Sequence, residues 1–247
     1  MKISRKFFFV LFIFFFVSCK ENKELKKYSF ALSGAISNPT EQYLILSEVG
    51  KSGFTQNDTI SLDKEGVFSK NIEMQEPTLY SLSLGNEYII ICPAIGEQIS
   101  IKASGSNFSG TYNIEGSPES ELLKELNKEN YNVRLSLKSM SEELSKADTA
   151  KLDSIRTSII EKYTSTKQYQ EKITSDFINK NLGSLTTLIA LHRTFDGFAL
   201  FDHNQSLEMH KKVLQGLKQT LPNNQHTLTL ENFIAEKENA QKKNGTK

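Results

Sequence analysis

Beyond the first twenty residues, Cys92 and the four histidines His192, His203, His210 and His226 are the side chains suited to redox, nucleophilic or metal chemistry. Cys92 closes the run Tyr88-Ile89-Ile90-Ile91-Cys92, where a thiol acts as a small hydrophobe in a buried strand. A reactive thiol wants an exposed, electropositive niche, and no His or basic residue lies close to Cys92 in sequence. His203 and His210 share a helix face only if a helix begins before Ser206, and zinc sites use closer pairs backed by Cys or carboxylates. No metal and no cofactor is expected. Asp202, His203 and Ser206 are near neighbours in sequence, whereas a Ser-His-Asp triad is assembled across a fold, so they read as a polar loop and a helix cap. Ser104-Gly105-Ser106-Asn107 lacks the glycine spacing and following helix of a phosphate loop. The remaining cluster is aromatic: Phe195, Phe198 and Phe201, with Leu200, surround Asp196, Gly197 and Asp202. Such a group either locks helices onto a sheet, the preferred reading, or presents an apolar anchor to a partner, which makes the three Phe the candidate partner-binding residues.

Composition narrows the classes that these residues could serve. The 247 residues include 30 basic and 29 acidic side chains, with 38% hydrophobic and 24% charged residues. That is enough chain for one or two domains with real cores. Near-balanced charge argues against a nucleic-acid partner, and two cysteines are too few for a disulfide scaffold or a cysteine-rich zinc module.

The first eighteen residues differ from the rest. Lys2, Arg5 and Lys6 precede a wholly apolar run from Phe7 to Val17, the pattern of a signal peptide. At about 1.5 Å per residue this run covers roughly half of a ~30 Å hydrocarbon core, too little for a permanent span. Phe16-Val17-Ser18-Cys19 resembles the lipobox of bacterial lipoproteins, with Phe16 standing where Leu is usual. The resemblance implies cleavage before Cys19, its acylation, for instance with palmitate, and attachment to a membrane through the N-terminal lipid. Residues 1–18 are then the signal peptide and residues 19–27, opening with the polar run Lys20 to Glu24, a tether. Maturation removes three basic groups and leaves 27 against 29 acidic ones, with Cys92 as the sole remaining thiol.

The elements that would carry these side chains fall into two halves. From residue 28 to 116, short runs alternate with period two between turn residues: Tyr28 to Leu32, Tyr43 to Leu46, Thr59 to Leu62, Val67-Phe68, Tyr80 to Leu84, Tyr88 to Cys92, Ile99 to Ile101 and Tyr112 to Ile114. Asp63 to Gly66 reads as a hairpin turn joining its two flanking runs. Seven or eight such strands predict an antiparallel β-sandwich or open barrel. Residues 117–235 change to helical spacing. Ser117 and Pro118 open a long amphipathic helix through Leu144, and Ala147 to Thr149 break it. A second helix runs to near Asn181, the two able to pair as a hairpin. Shorter helices follow, one opened by Ser184 and one from Ser206 to Leu221, with a further one from Thr227. Residues 236–247 are almost all polar and read as a frayed or disordered end. The expected fold class is α+β, a β domain followed by a helical segment.

Phe30-Ala31-Leu32-Ser33-Gly34, the Glu65-Gly66-Val67-Phe68 turn and Ile114-Glu115-Gly116-Ser117-Pro118 resemble an N-terminal β domain of Bacteroidetes lipoproteins, domain of unknown function 4369. In that family the β domain and a helical segment commonly precede a thioredoxin-like domain. Phe177 to Ser184 is similar to the family's helix-breaking stretch before that domain, with Leu182 where a Pro is usual. The chain has no Cys-x-x-Cys, so the family's dithiol chemistry maps onto none of its residues. The reading is a non-catalytic, lipid-anchored protein of the cell envelope, an outer-membrane lipoprotein facing the periplasm or the cell surface. It would bind a protein, peptide or glycan. The alternative is the accessory part of a thioredoxin-like thiol:disulfide oxidoreductase system whose catalytic domain is missing or encoded separately.

Overall fold

A computed structural model describes residues 28–50 and 53–244 of the chain, so the expected signal peptide, Cys19 and the expected tether lie outside the described residues. The period-two half folds into β1 (Tyr28–Ser37), β2 (Tyr43–Gly50), β3 (Gly53–Ser61), β4 (Val67–Met74), β5 (Tyr80–Leu84), β6 (Glu87–Ile91), β7 (Gln98–Ser104), a short α1 (Phe108–Thr111) and β8 (Asn113–Glu115). Two four-stranded sheets result, in the orders β4-β1-β7-β8 and β3-β2-β5-β6. Alternation puts Phe30, Leu32 and Ile36 of β1 and Ile99 and Ile101 of β7 on one inner face. Leu44, Leu46, Leu82, Ile89 and Ile91 occupy the other inner face. Phe30 and Tyr80 meet across the layers, ring centroids 5.5 Å apart. The result is a β-sandwich followed by helices, an α+β fold.

Two details differ from the expected antiparallel pattern with a hairpin at Asp63 to Gly66. The run before Asp63 and the run after Gly66 do not pair with each other: β3 pairs with β2 and β4 with β1, in different sheets. The tight turn does form, because the Asp63 carboxylate accepts the Glu65 and Val67 amides at 3.0 and 2.7 Å. Gly66, at φ 77°, lies so close to β1 that a Cβ would sit 2.1 Å from the Ile36 carbonyl oxygen, and this contact steers β4 to the opposite layer. The second detail is that β1 and β7 are parallel. β6 belongs to the other sheet, so the chain changes layer between Ile91 and Gln98 and arrives beside β1 by a crossover.

Helices α2 (Pro118–Ser145) and α3 (Leu152–Lys180) follow, then α4 (Thr186–Leu191), a hairpin of β9 (Thr194–Phe195) and β10 (Phe198–Ala199), α5 (His203–Thr220) and α6 (Gln225–Asn244). Pro118 does open α2, but the Ser117 hydroxyl does not cap it. It donates instead to the Cys92 carbonyl at 3.3 Å, while the Ser120 hydroxyl accepts the Cys92 amide at 2.9 Å, tying the helix start to the end of β6. Lys162 bonds Glu143 at 2.8 Å and Tyr169 bonds Glu129 at 2.8 Å, so α2 and α3 run antiparallel as a helical hairpin. The helices cover the outer face of the β3-β2-β5-β6 sheet. Leu79 and Cys92 there join Leu123, Leu126, Ile178, Leu191, Val213, Leu217 and Leu230 in a second core. Pleating therefore splits the apolar run of β6, sending Ile89 and Ile91 into the sandwich and Ile90 and Cys92 toward the helices.

Three boundaries in the helical half are corrected. The aromatic stretch after Thr194 is a two-stranded hairpin whose turn residues Asp196 and Gly197 have φ 51° and 81°, the primed-turn geometry. Helix α5 starts at His203, three residues before Ser206. Helix α6 continues past Glu236 to Asn244, because Glu238 reaches Lys211 of α5 at 3.0 Å and Lys237 lies 5.3 Å over the Phe233 ring. Among the described residues no helix is long and apolar enough to cross a membrane.

Candidate functional site

The structure divides the aromatic cluster. Phe195 is buried with its ring edge-on to Tyr163 at 4.9 Å, and Leu200 and Phe201 are buried as well. Phe198 is 75% exposed. The two rings are cross-strand partners flanking the Asp196-Gly197 turn, yet Phe195 packs among the helices while Phe198 is open to solvent. As candidate partner-binding residues Phe195 and Phe201 are therefore corrected to core positions, and Phe198 alone is available at the surface. Cys92 is a buried free thiol, and burial first, then the charges of Glu119 and Glu97, push its pKa far above the ordinary thiol value. Asp202 immediately precedes α5 and Ser206 lies in its first turn, the Ser206 amide donating to the Asp202 carbonyl at 2.9 Å. Among the described residues no group of three His, Cys, Asp or Glu is arranged to hold a metal ion.

The chemistry gathers elsewhere, in a cleft of 480 Å³ where β6, α1, the middle of α2 and the end of α4 meet. Each element contributes for a local reason. α4 is a single short helix that stops at Leu191, so the chain swings Arg193 inward as it leaves for the hairpin. The α2 face that packs over β6 brings Asn127, Asn130 and Arg134, spaced three and four apart, to one side of the helix. Tyr112 follows α1 and lies at the floor, largely buried.

Hydrogen bonds fix the floor. The Arg193 guanidinium donates through Nη2 to Asn127 Oδ1 at 2.5 Å, and Asn127 Nδ2 donates to the Tyr112 hydroxyl at 3.0 Å. Asn130 Oδ1 is held by Nε2 of the buried Gln170 at 2.6 Å. Arg193 Nε is buried with no hydrogen-bond partner among the described residues. Burial pulls the Arg193 pKa down to about 10, so it stays cationic at neutral pH, and no carboxylate is among the groups acting on it. Burial likewise raises the Tyr112 hydroxyl, partly offset by the bond from Asn127, so it is protonated. Glu87 also lines the cleft, but its carboxylate is engaged by the Ser109 amide and hydroxyl, both at 2.7 Å. At the rim Tyr88 is half exposed and meets the exposed Phe54 ring at 5.8 Å.

A planar cation with a free N–H, a second guanidinium at the mouth, two oriented amides and an aromatic rim form a receptor for a polar anion. Fork-shaped guanidinium donors match carboxylate, sulfate and phosphate oxygens. None of these residues stands out in sequence, because Asn127 and Arg193 are 66 positions apart and follow no motif. One signal was present: the chain uses only four arginines among its 30 basic residues, and two of them, Arg134 and Arg193, line this cleft.

No family of known proteins and no curated protein matches the chain. A solved structure, a "putative cell adhesion protein" from Bacteroides ovatus, is similar over 37% of this chain and 43% of its own, at 13% identity and a TM-score of 0.23.

Proposed function

We propose that the chain is a non-catalytic binding module of the cell envelope, held at the outer membrane by lipid on Cys19, whose cleft around Arg193 takes an anionic ligand. The observation that carries the reading is the half-buried Arg193, whose buried Nε has no hydrogen-bond partner among the described residues and which has no carboxylate among the groups acting on it. A buried cation without a counter-ion is costly to the free fold, and such groups persist where a ligand supplies the missing charge. The buried Cys92 thiol, pushed well above its usual pKa, supports a role without dithiol exchange. The likeness to domain of unknown function 4369 belongs to the same reading, with this chain as the ligand-holding half.

Two measurements test it. Titration with glutarate, using uncharged glutaramide as control, should give saturable binding of the acid only, weakened by about tenfold or more in Arg193→Gln. The same variant, without ligand, should melt at or above the temperature of the parent, because it removes an unpaired buried charge. Equal binding of the two probes, or a clear loss of stability in Arg193→Gln, would assign Arg193 a structural role instead. For the anchor, cells grown with labelled palmitate should incorporate label into the parent and none into Cys19→Ala, since acyl chains add about 0.8 kcal/mol of membrane affinity per buried CH₂. Label retained by the variant removes the lipid-anchor reading.

A further inference from the structure

Three histidines distant in sequence, His192, His210 and His226, meet around a second cavity of 250 Å³ on the other side of α4. Apart from Thr229 its other walls are apolar, among them Val49 of β2, Leu79, and Leu230 and Phe233 of α6. His210 is the informative member. It is 3% exposed, its ring edge-on to His192 at 5.8 Å and tilted against Phe233 at 5.1 Å. Its Nδ1 meets the Ser206 carbonyl oxygen, which can only accept, so Nδ1 carries the proton and Nε2 is left as a bare acceptor. That Nε2 is buried and has no hydrogen-bond partner among the described residues. Burial, reinforced by the charge of Lys237 and opposed by the bond to Ser206, holds the ring below the ordinary imidazole pKa and keeps it neutral. His226 differs, because its Nε2 is already bonded to the Thr78 hydroxyl at 2.8 Å.

We infer that this cavity is a binding site for a small, uncharged, mainly apolar molecule with one hydroxyl donor, of the phenol or alkanol class, whose O–H donates to His210 Nε2. The apolar walls hold the body of the ligand and the imidazole fixes its orientation, the usual division of labour in small-molecule sites. An uncompensated buried acceptor is expensive in a fold, and a hydroxyl arriving in a low-dielectric pocket satisfies it without bringing a charge. A carboxylate would be repelled by the bare Nε2 lone pair, so this site selects a chemistry opposite to that of the Arg193 cleft. The two share the walls Ile189 and His192 but neither depends on the other.

Phenol and toluene, which differ by a hydroxyl in place of a methyl, test the assignment on the full purified chain. The readout is nuclear magnetic resonance of the His210 Cε1–H and of the Leu79 and Leu230 methyls. Phenol is expected to shift these signals saturably and to bind about tenfold more tightly than toluene, the factor expected for one hydrogen bond to a buried acceptor. His210→Phe should abolish the preference for phenol, and Val49→Phe, which narrows the cavity from β2 and leaves His210 intact, should abolish binding of both probes. Should His210→Phe not fold, the phenol-to-toluene ratio of the parent and the Val49→Phe result decide the matter. Equal affinities for the two probes in the parent overturn the inference. So does the absence of any saturable shift up to the solubility of phenol, or binding that survives Val49→Phe.

Discussion

Gly34→Ala is expected to cost more than about 4 kcal/mol, a loss at the extreme end of single substitutions and a large share of the ~5–15 kcal/mol that holds a domain folded. Gly34 occupies the inward-facing position of β1 between the buried Leu32 and Ile36, opposite Phe68 of β4 and Ile101 of β7. A methyl group there would lie 1.8 Å from the Ile101 carbonyl oxygen and 2.8 Å from its carbon. The obstacle is backbone held in a ladder, so it cannot rotate aside as a flexible side chain would. Relief requires parting β1 from β7, and those strands carry Phe30, Leu32, Ile99 and Ile101 of the sandwich core. Gly96→Ala supplies the comparison. Its φ of 84° is unfavourable to alanine, but nothing lies within 4 Å of the added carbon, so the cost should stay near 1–2 kcal/mol. Urea unfolding followed by circular dichroism measures both. Similar midpoints for the two variants would refute the close approach of β1 and β7.

The second large effect separates two phenylalanines three positions apart. Phe195→Ala should lose about 3–5 kcal/mol, the range for emptying a buried aromatic site. Phe195 is 2% exposed and packs edge-on against Tyr163, whose hydroxyl also donates to Asp196 at 3.1 Å. Phe198→Ala should change stability by no more than about 0.5 kcal/mol, as is usual at exposed sites. Equilibrium unfolding of the two proteins reads the difference directly. If Phe198→Ala proves the more damaging, Phe198 rather than Phe195 is the packed ring and the division of the cluster is wrong.

How far the fold could be read from sequence follows from which forces are local. Eight strands were legible because alternation such as Tyr80-Leu82-Leu84 is written residue by residue, and so was the start of α2 at Pro118. Pairing was not: Asp63 to Gly66 is a tight turn by composition, yet the partner of β4 is decided by the approach of Gly66 to Ile36, 30 residues upstream. The end of α6 escaped detection for a similar reason. Its residues past Glu236 have little apolar character of their own, and their order rests on Lys211 in the neighbouring helix. The candidate site was the least legible part. His210 stands out in sequence only as one of four histidines and Arg193 only as one of four arginines, and what marks their positions as sites is a buried nitrogen left without a partner among the described residues, a property of the assembled structure.

The two-sided burial of β6 has a further consequence for how this architecture can be divided. Gly116 looks like a seam between modules, but the strip formed by Leu79, Ile90 and Cys92 is upholstered by helices that begin just after it. Severed there, the β half would display a greasy flank and would tend to self-associate. Nature or an engineer could graft a new partner after α6 with ease, whereas any rearrangement that separates the halves must first invent another cover for that flank.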